Sequence, residues 1–200
     1  NDIVGVFDAD GTCRGVSNVE YNSTTGKSMV YITAFDSTKT SFPLYFRLWH
    51  HPTGKTMVLT PSEKINFTVG GTVGTAKDPI VFQANNMYIQ QIELNEGWNW
   101  ISFNVTSNEF RDLKGWLGAH KWYDNDIILN ENNGMTLYRV HDTWLSDNGN
   151  DLANYRFSPS ESYHLYTTKA RSMEVQGYSL SQPTDRTVNL KKGWNSIGYL

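Results

Sequence analysis

Leu44-Tyr45-Phe46-Arg47-Leu48-Trp49 places an apolar residue at every second position, and a period of two is the signature of a β-strand. Leu44, Phe46 and Leu48 fall on one face, suited to a core, while Tyr45, Arg47 and Trp49 fall on the other. Upstream, Ile3–Phe7 leads into a turn at Asp8 to Gly11 and residues 12–16 lead out, which reads as a hairpin. Residues 29–35 are rich in β-branched and aromatic side chains and read as another strand. Turns are written at Asn22-Ser23-Thr24-Thr25-Gly26, at His51-Pro52-Thr53-Gly54-Lys55 and at Val69-Gly70-Gly71-Thr72. Short strands at such spacing are typical of sandwiches and barrels.

Further along, Leu94-Asn95-Glu96-Gly97-Trp98-Asn99-Trp100-Ile101-Ser102 returns as Leu190-Lys191-Lys192-Gly193-Trp194-Asn195-Ser196-Ile197-Gly198. The spacing of about 96 residues is too long for a solenoid unit. Each copy reads as a turn at Gly followed by a strand, with Ile101, Phe103 and Val105 on one face and Trp98 and Trp100 on the other. Two such strands can pair and close one domain. Between them, Thr106-Ser107-Asn108-Glu109 has capping-box spacing, and Phe110, Leu113 and Leu117 share a helical face before Gly118, which predicts a short helix at about 107–117. Met135–Val140, Ser162–Thr167, residues 173–176 and residues 187–190 read as strands. The expected fold is therefore mostly β, as two closely packed, sandwich-like domains over 1–92 and 93–200, the second with a short helix. Both ends fall inside strand motifs, as expected of a segment of a longer polypeptide.

The chain has 200 residues, of which 14% are aromatic, with seven Trp and eleven Tyr, and that content excludes a disordered tail. A net charge of −3 offers no basic stripe to neutralise phosphates, so nucleic acid is not an expected partner. No apolar stretch approaches the roughly 20 residues of a membrane-crossing helix, so membrane insertion is not expected either. Cys13 stands alone, which leaves no intrachain disulfide and no paired-cysteine metal site; it reads as a small buried hydrophobe in a strand. His50 and His51, adjacent on a strand, point to opposite faces and cannot chelate one ion. Asp8-Ala9-Asp10-Gly11 resembles part of a calcium loop, but in that register the first and last ligand positions fall on Val6 and Ser17. Asp147-Asn148-Gly149-Asn150-Asp151 offers several oxygen donors, but such composition also marks an ordinary turn, which is the favoured reading over a calcium loop. No cofactor and no metal site are expected.

Asp2-Ile3-Val4-Gly5-Val6-Phe7, Cys13-Arg14-Gly15-Val16 and Leu44-Tyr45-Phe46-Arg47-Leu48-Trp49 together resemble a module recurrent in large secreted and surface-exposed proteins of Bacteroidetes and related anaerobes. The Gly-Trp-Asn-Trp-Ile-Ser strand at 97–102 and its second copy at 193–198 resemble a module that commonly follows it. One departure is Ser196, which stands where the first copy has Trp100. The resemblance implies an extracellular multimodular protein with glycan-active or adhesive neighbours, and it brings no catalytic residue.

The chain has no Gly-x-Ser-x-Gly elbow, phosphate loop, dinucleotide fingerprint or His-Glu-x-x-His. Glycoside hydrolysis needs only two carboxylates, and Glu20, Asp36, Glu63, Glu109, Asp124, Asp126 and Asp142 are available, but each sits in a polar context unsuited to raising an acid's pKa. Binding is better supported, since Trp and Tyr offer flat apolar faces with a polar handle, suited to sugar rings flanked by hydroxyls. Tyr45, Arg47 and Trp49 are candidate ligand contacts on a strand face, with a row covered by the second domain or by a neighbouring module as the equal rival reading. Trp122, Tyr123, Asp124 and Trp144 are candidates in expected loops, with core packing as the rival reading for the two tryptophans. Trp116, Trp98 and Trp194 read as structural. The sequence thus predicts a non-catalytic, secreted or cell-surface module that binds polysaccharide, with neighbouring modules of the same polypeptide as further partners. The alternatives are a structural or adhesive spacer and, third, a glycoside-active enzyme fragment.

Overall fold

A computed structural model describes residues 2–107, 113–147, 152, 155–180 and 188–198. About half of the described residues lie in strands and one short helix is present, so the protein is mostly β, as expected. It divides into two compact units, Asn1–Tyr88 and Ile89–Leu200.

The first unit contains β1 (Ile3–Phe7), β2 (Cys13–Asn18), β3 (Glu20–Asn22), β4 (Lys27–Met29), β5 (Ser41–Pro43), β6 (Tyr45–His50), β7 (Lys55–Pro61) and β8 (Asn66–Thr68). It also holds the start of β9 (Phe82–Leu94). Its main sheet has the order β2-β1-β6-β7-β9, while β3-β4 and β5-β8 form small two-stranded sheets. Alternation on β6 is realised as expected: Phe46 is buried with Val4, Val6, Leu59 and Ile65, and Leu44 and Leu48 pack against that core. The hairpin at Asp8 is built by its carboxylate, whose Oδ1 accepts from the backbone N–H of Asp10 (3.0 Å) and Thr12 (2.9 Å).

Residues 29–35 differ from expectation, because β4 ends at Met29. The alternation survives, with Val30, Ile32 and Ala34 packed on the core and Tyr31 and Phe35 exposed. What is missing is a ladder, and the segment is tied to β2 by the N–H of Phe35 donating to Arg14 O at 2.8 Å. It lies so close that a Cβ on Gly15 would fall 2.1 Å from Thr33 O, which is why a glycine follows Arg14. Cys13 is also a correction: it lies on β2 but is exposed, opposite Phe7 in the register, on the face turned away from the core.

The second unit contains the rest of β9, then β10 (Gly97–Ser102), β11 (Val105–Thr106), α1 (Leu113–Ala119), β12 (Ile127–Asn130), β13 (Met135–Val140), β14 (Thr143–Ser146), β15 (Ser162–Thr167) and β16 (Arg171–Ser179). One layer has the order β10-β15-β12-β13-β14; β9, β16 and β11 are neighbours in the other. Ile101, Tyr163, Leu165, Ile128, Met135 and Leu137 of the first layer and Ile92, Leu94, Met173, Val175 and Val105 of the second are all buried, which gives a sandwich. Phe103, Trp116, Phe157 and Tyr163 form its aromatic centre, with ring centroids 4.7–5.9 Å apart.

Among the described residues the helix runs past its expected end at 117. It begins at Leu113 among the described residues and includes Gly118, ending at Ala119. Its expected capping box (Asn108, Glu109) and Phe110 lie outside the described residues, as do most of the oxygen donors at 147–151 and the start of the strand expected at 187–190. Residues 188–190 are not strand. The two repeat copies do not pair with each other: β10 pairs with β15, and the second copy makes a single bridge between Glu161 and Ile197.

Candidate functional site

On the outer face of the first unit's sheet, Tyr45, Arg47 and Trp49 project together because the core takes the alternate residues of β6. Tyr45 is 52% and Trp49 37% exposed, and Arg47 is half-buried. Their register partners on β1 are Phe7, Gly5 and Ile3. The Phe7 ring folds back over Gly5, and the Arg47 guanidinium stacks 4.2 Å from its centroid. Trp49 is braced edge-on by His51 at 5.4 Å. The result is an exposed aromatic row with a cation at its centre.

The four candidates in the second unit divide. Trp122 is buried among Trp116 (5.1 Å), Trp144 (5.2 Å) and the Arg171 guanidinium (5.1 Å), and its Nε1–H donates to Leu117 O at 2.9 Å. It packs the core, which was the rival reading. Trp144 lies on β14 rather than in a loop, half-buried against Trp122 with Arg139 5.9 Å from its ring. The turn before it, His141 and Asp142, has positive φ at both positions, the geometry of a two-residue hairpin. Tyr123 is half-buried, with Lys169, Lys121 and Arg171 at 4.6, 5.3 and 5.5 Å from its centroid. Asp124 is exposed and accepts from the N–H of Asp142 at 3.4 Å.

Behind these residues lies a buried polar clamp. Asp126 is fully buried; it accepts from the N–H of Thr168 (2.8 Å) and of Tyr123 (2.9 Å) and pairs with Arg171 at 2.7 Å. Those bonds compensate its desolvation and fix the loop at Tyr123 to β16. A second network joins Asn130, Tyr155, Glu161 and Tyr163, and burial pushes both phenols up from their ordinary range. Burial also pushes the His120 imidazole down. Among the described residues no group of three or more His, Cys, Asp or Glu could hold a metal ion, and no helix is long and apolar enough to cross a membrane.

Trp98 and Trp194, read as structural from the sequence, are instead 48% and 102% exposed, and Trp100 is 68% exposed. On β10 the alternation buries Ile101 and turns Trp98 and Trp100 outward, where their register partners on β15 are Tyr166 and His164. The ring pairs sit at 5.4 Å and 4.7 Å. Tyr138 and Leu145, cross-strand partners farther along the same sheet, are also exposed. The alternation signal that predicted this outward face was legible; the repetition of Gly-Trp-Asn masked it by suggesting scaffold.

No protein-family model, no curated protein and no solved structure matches this chain.

Proposed function

We propose that this chain is a non-catalytic carbohydrate-binding module of a larger secreted or cell-surface protein, taking polysaccharide as its ligand and neighbouring modules of the same polypeptide as its other partners. The observation that carries the reading is the exposed Tyr45–Arg47–Trp49 row. Flat rings stack on the apolar faces of sugars, and the phenol, indole N–H and guanidinium flank them with groups able to bond hydroxyls. A strand holds the three side chains in fixed register, so little freedom is lost on binding. The resemblance to modules of surface proteins agrees with this role.

The spacer reading has one observation in its favour, the use of Trp122 and Trp144 in packing. Affinity electrophoresis through gels containing a panel of soluble polysaccharides separates the two. The module reading expects retardation of the wild type by at least one polysaccharide, weakened about tenfold in Trp49→Ala, in line with the roughly 1.4 kcal/mol of one stacked ring. Retardation by none of them would leave the spacer.

A further inference from the structure

In the second unit one buried carboxylate sets two loops side by side, residues 121–126 and 168–171. Asp126 Oδ2 accepts from the N–H of Tyr123 at 2.9 Å and pairs with Arg171 at 2.7 Å, while its Oδ1 accepts from the N–H of Thr168 at 2.8 Å. Each loop then sends a lysine to the same ring. Lys169 Nζ lies 4.6 Å and Lys121 Nζ 5.3 Å from the Tyr123 centroid, with the Arg171 guanidinium at 5.5 Å. We propose that this cationic cluster binds the anionic group of an acidic polysaccharide, a uronate carboxylate or a sulfate ester, with Lys121 and Lys169 as the charge contacts. The inference rests on the carbohydrate-binding reading and adds to it a second site and a ligand class.

Charge selects the class. Three cations against two carboxylates leave these loops positive, in a chain whose net charge is −3. Of the two carboxylates, Asp126 is fully buried against Arg171, and Asp124 is exposed and accepts from the N–H of Asp142. Among the described residues no carboxylate pairs with Lys121 or Lys169, and both are exposed. Their distances to one ring keep the two ammoniums within about 10 Å of each other, about one Debye length at 0.1 M salt. They therefore repel, and one anion beside the ring offsets both. A neutral sugar would find hydrogen-bond donors here but leave the charge in place.

The interior beside Tyr123 points the same way. Arg171 spends Nη1 on Lys169 O at 3.2 Å and Nη2 on Asp126, but its Nε is buried without a hydrogen-bond partner. Arg139 Nε and Trp144 Nε1 are also buried and unpaired, and ring contacts through Trp122 and Trp144 join all three residues. This end of the unit is rich in donors and short of acceptors, so its field adds to that of the lysines at the surface. Arg171 is held in place, whereas the lysine heads, on flexible four-carbon stems, can leave the ring to meet a carboxylate or sulfate.

The test runs wild type, Trp49→Ala, the double variant Lys121→Gln/Lys169→Gln and a control of equal charge, Lys27→Gln/Lys64→Gln, through affinity gels containing polygalacturonate, dextran sulfate or hydroxyethylcellulose. All four lysines are exposed, and an unchanged denaturation midpoint checks that each variant is folded. The expected result is retardation in an acidic gel that Lys121→Gln/Lys169→Gln weakens about tenfold and the control does not, and that fades as salt rises from about 0.02 M to about 0.3 M. Retardation by polygalacturonate alone assigns the carboxylate and by dextran sulfate alone the sulfate, and either upholds the site. Acidic retardation that the Lys121/Lys169 variant leaves untouched, or that the control weakens as much, overturns the site while the module reading stands. Retardation by hydroxyethylcellulose alone, weakened by Trp49→Ala, does the same. No retardation of the wild type in any gel removes the module reading and this site with it.

Discussion

Cys13, Arg14 and Gly15 are three adjacent residues with three separate fates. Arg14 reaches back to Asp8 and forward to Asp36, at 2.8 Å from the latter, and so joins the first hairpin to the segment that follows β4. Gly15 admits the Thr33 carbonyl at a distance no side chain would allow. Cys13 is left on the open face, with Sγ 3.6 Å from Gly15 O. Its thiol is therefore expected to react with a disulfide reagent in the native protein, at one equivalent per chain and without denaturant. Reaction only after unfolding would put Cys13 back in the core, where its sequence context alone had placed it.

The repeated Leu-x-x-Gly-Trp-Asn element is a turn locked by its own asparagine. Asn99 Oδ1 accepts from the N–H of Asn95 at 2.9 Å, and its Nδ2 donates to Asn95 O and Gly97 O. Asn195 makes the same three bonds to Lys191 and Gly193, at 2.8, 2.9 and 2.9 Å. Gly97 and Gly193 have φ of 95° and 103°, a region closed to other residues without strain. The copies diverge only after the turn. Trp100 continues a strand, whereas Ser196 is drawn into hydrogen bonds with Ser162 Oγ at 2.6 Å and Asn132 Nδ2 at 2.8 Å. Asn99 also donates to Thr167 Oγ1 at 3.3 Å in the neighbouring strand, so its loss leaves more groups unpaired. Denaturant titration should show Asn99→Ala destabilised by about 2 kcal/mol and Asn195→Ala by about 1 kcal/mol. Equal losses would mean that the turn alone sets the energy.

At the scale of the whole molecule, the Asp8–Arg14–Asp36 cluster makes stability depend on acidity. The Arg14 guanidinium beside Asp8 holds its carboxyl below the usual range, and the backbone N–H groups of Lys39 and Thr38 bring Asp36 down to about 2. Both folded values lie below the unfolded one, so between about pH 4 and pH 2 the unfolded chain binds more protons and stability falls with pH. The thermal midpoint should be steady above about pH 5 and drop steeply toward pH 2, with a shallower drop in Asp36→Asn. A midpoint flat through that window would mean that the cluster contributes nothing. The proposed Tyr45–Arg47–Trp49 row belongs to the first unit.

Period-two alternation in the sequence determined which residues face a core: Phe46, Val30, Ile32, Ile101 and Leu137 all lie inward as their spacing requires. Gly and Asn positions determined where the chain turns, because backbone geometry there is local. Only the tertiary structure decided what each face meets. Residues 30–35 alternate but find no ladder, Trp122 and Trp144 close the core, and Trp98 and Trp100 open outward from a motif that read as scaffold. Alternation fixes the side of a strand on which a ring projects; whether that side is covered depends on contacts far away in the chain, and these leave no local mark in the sequence.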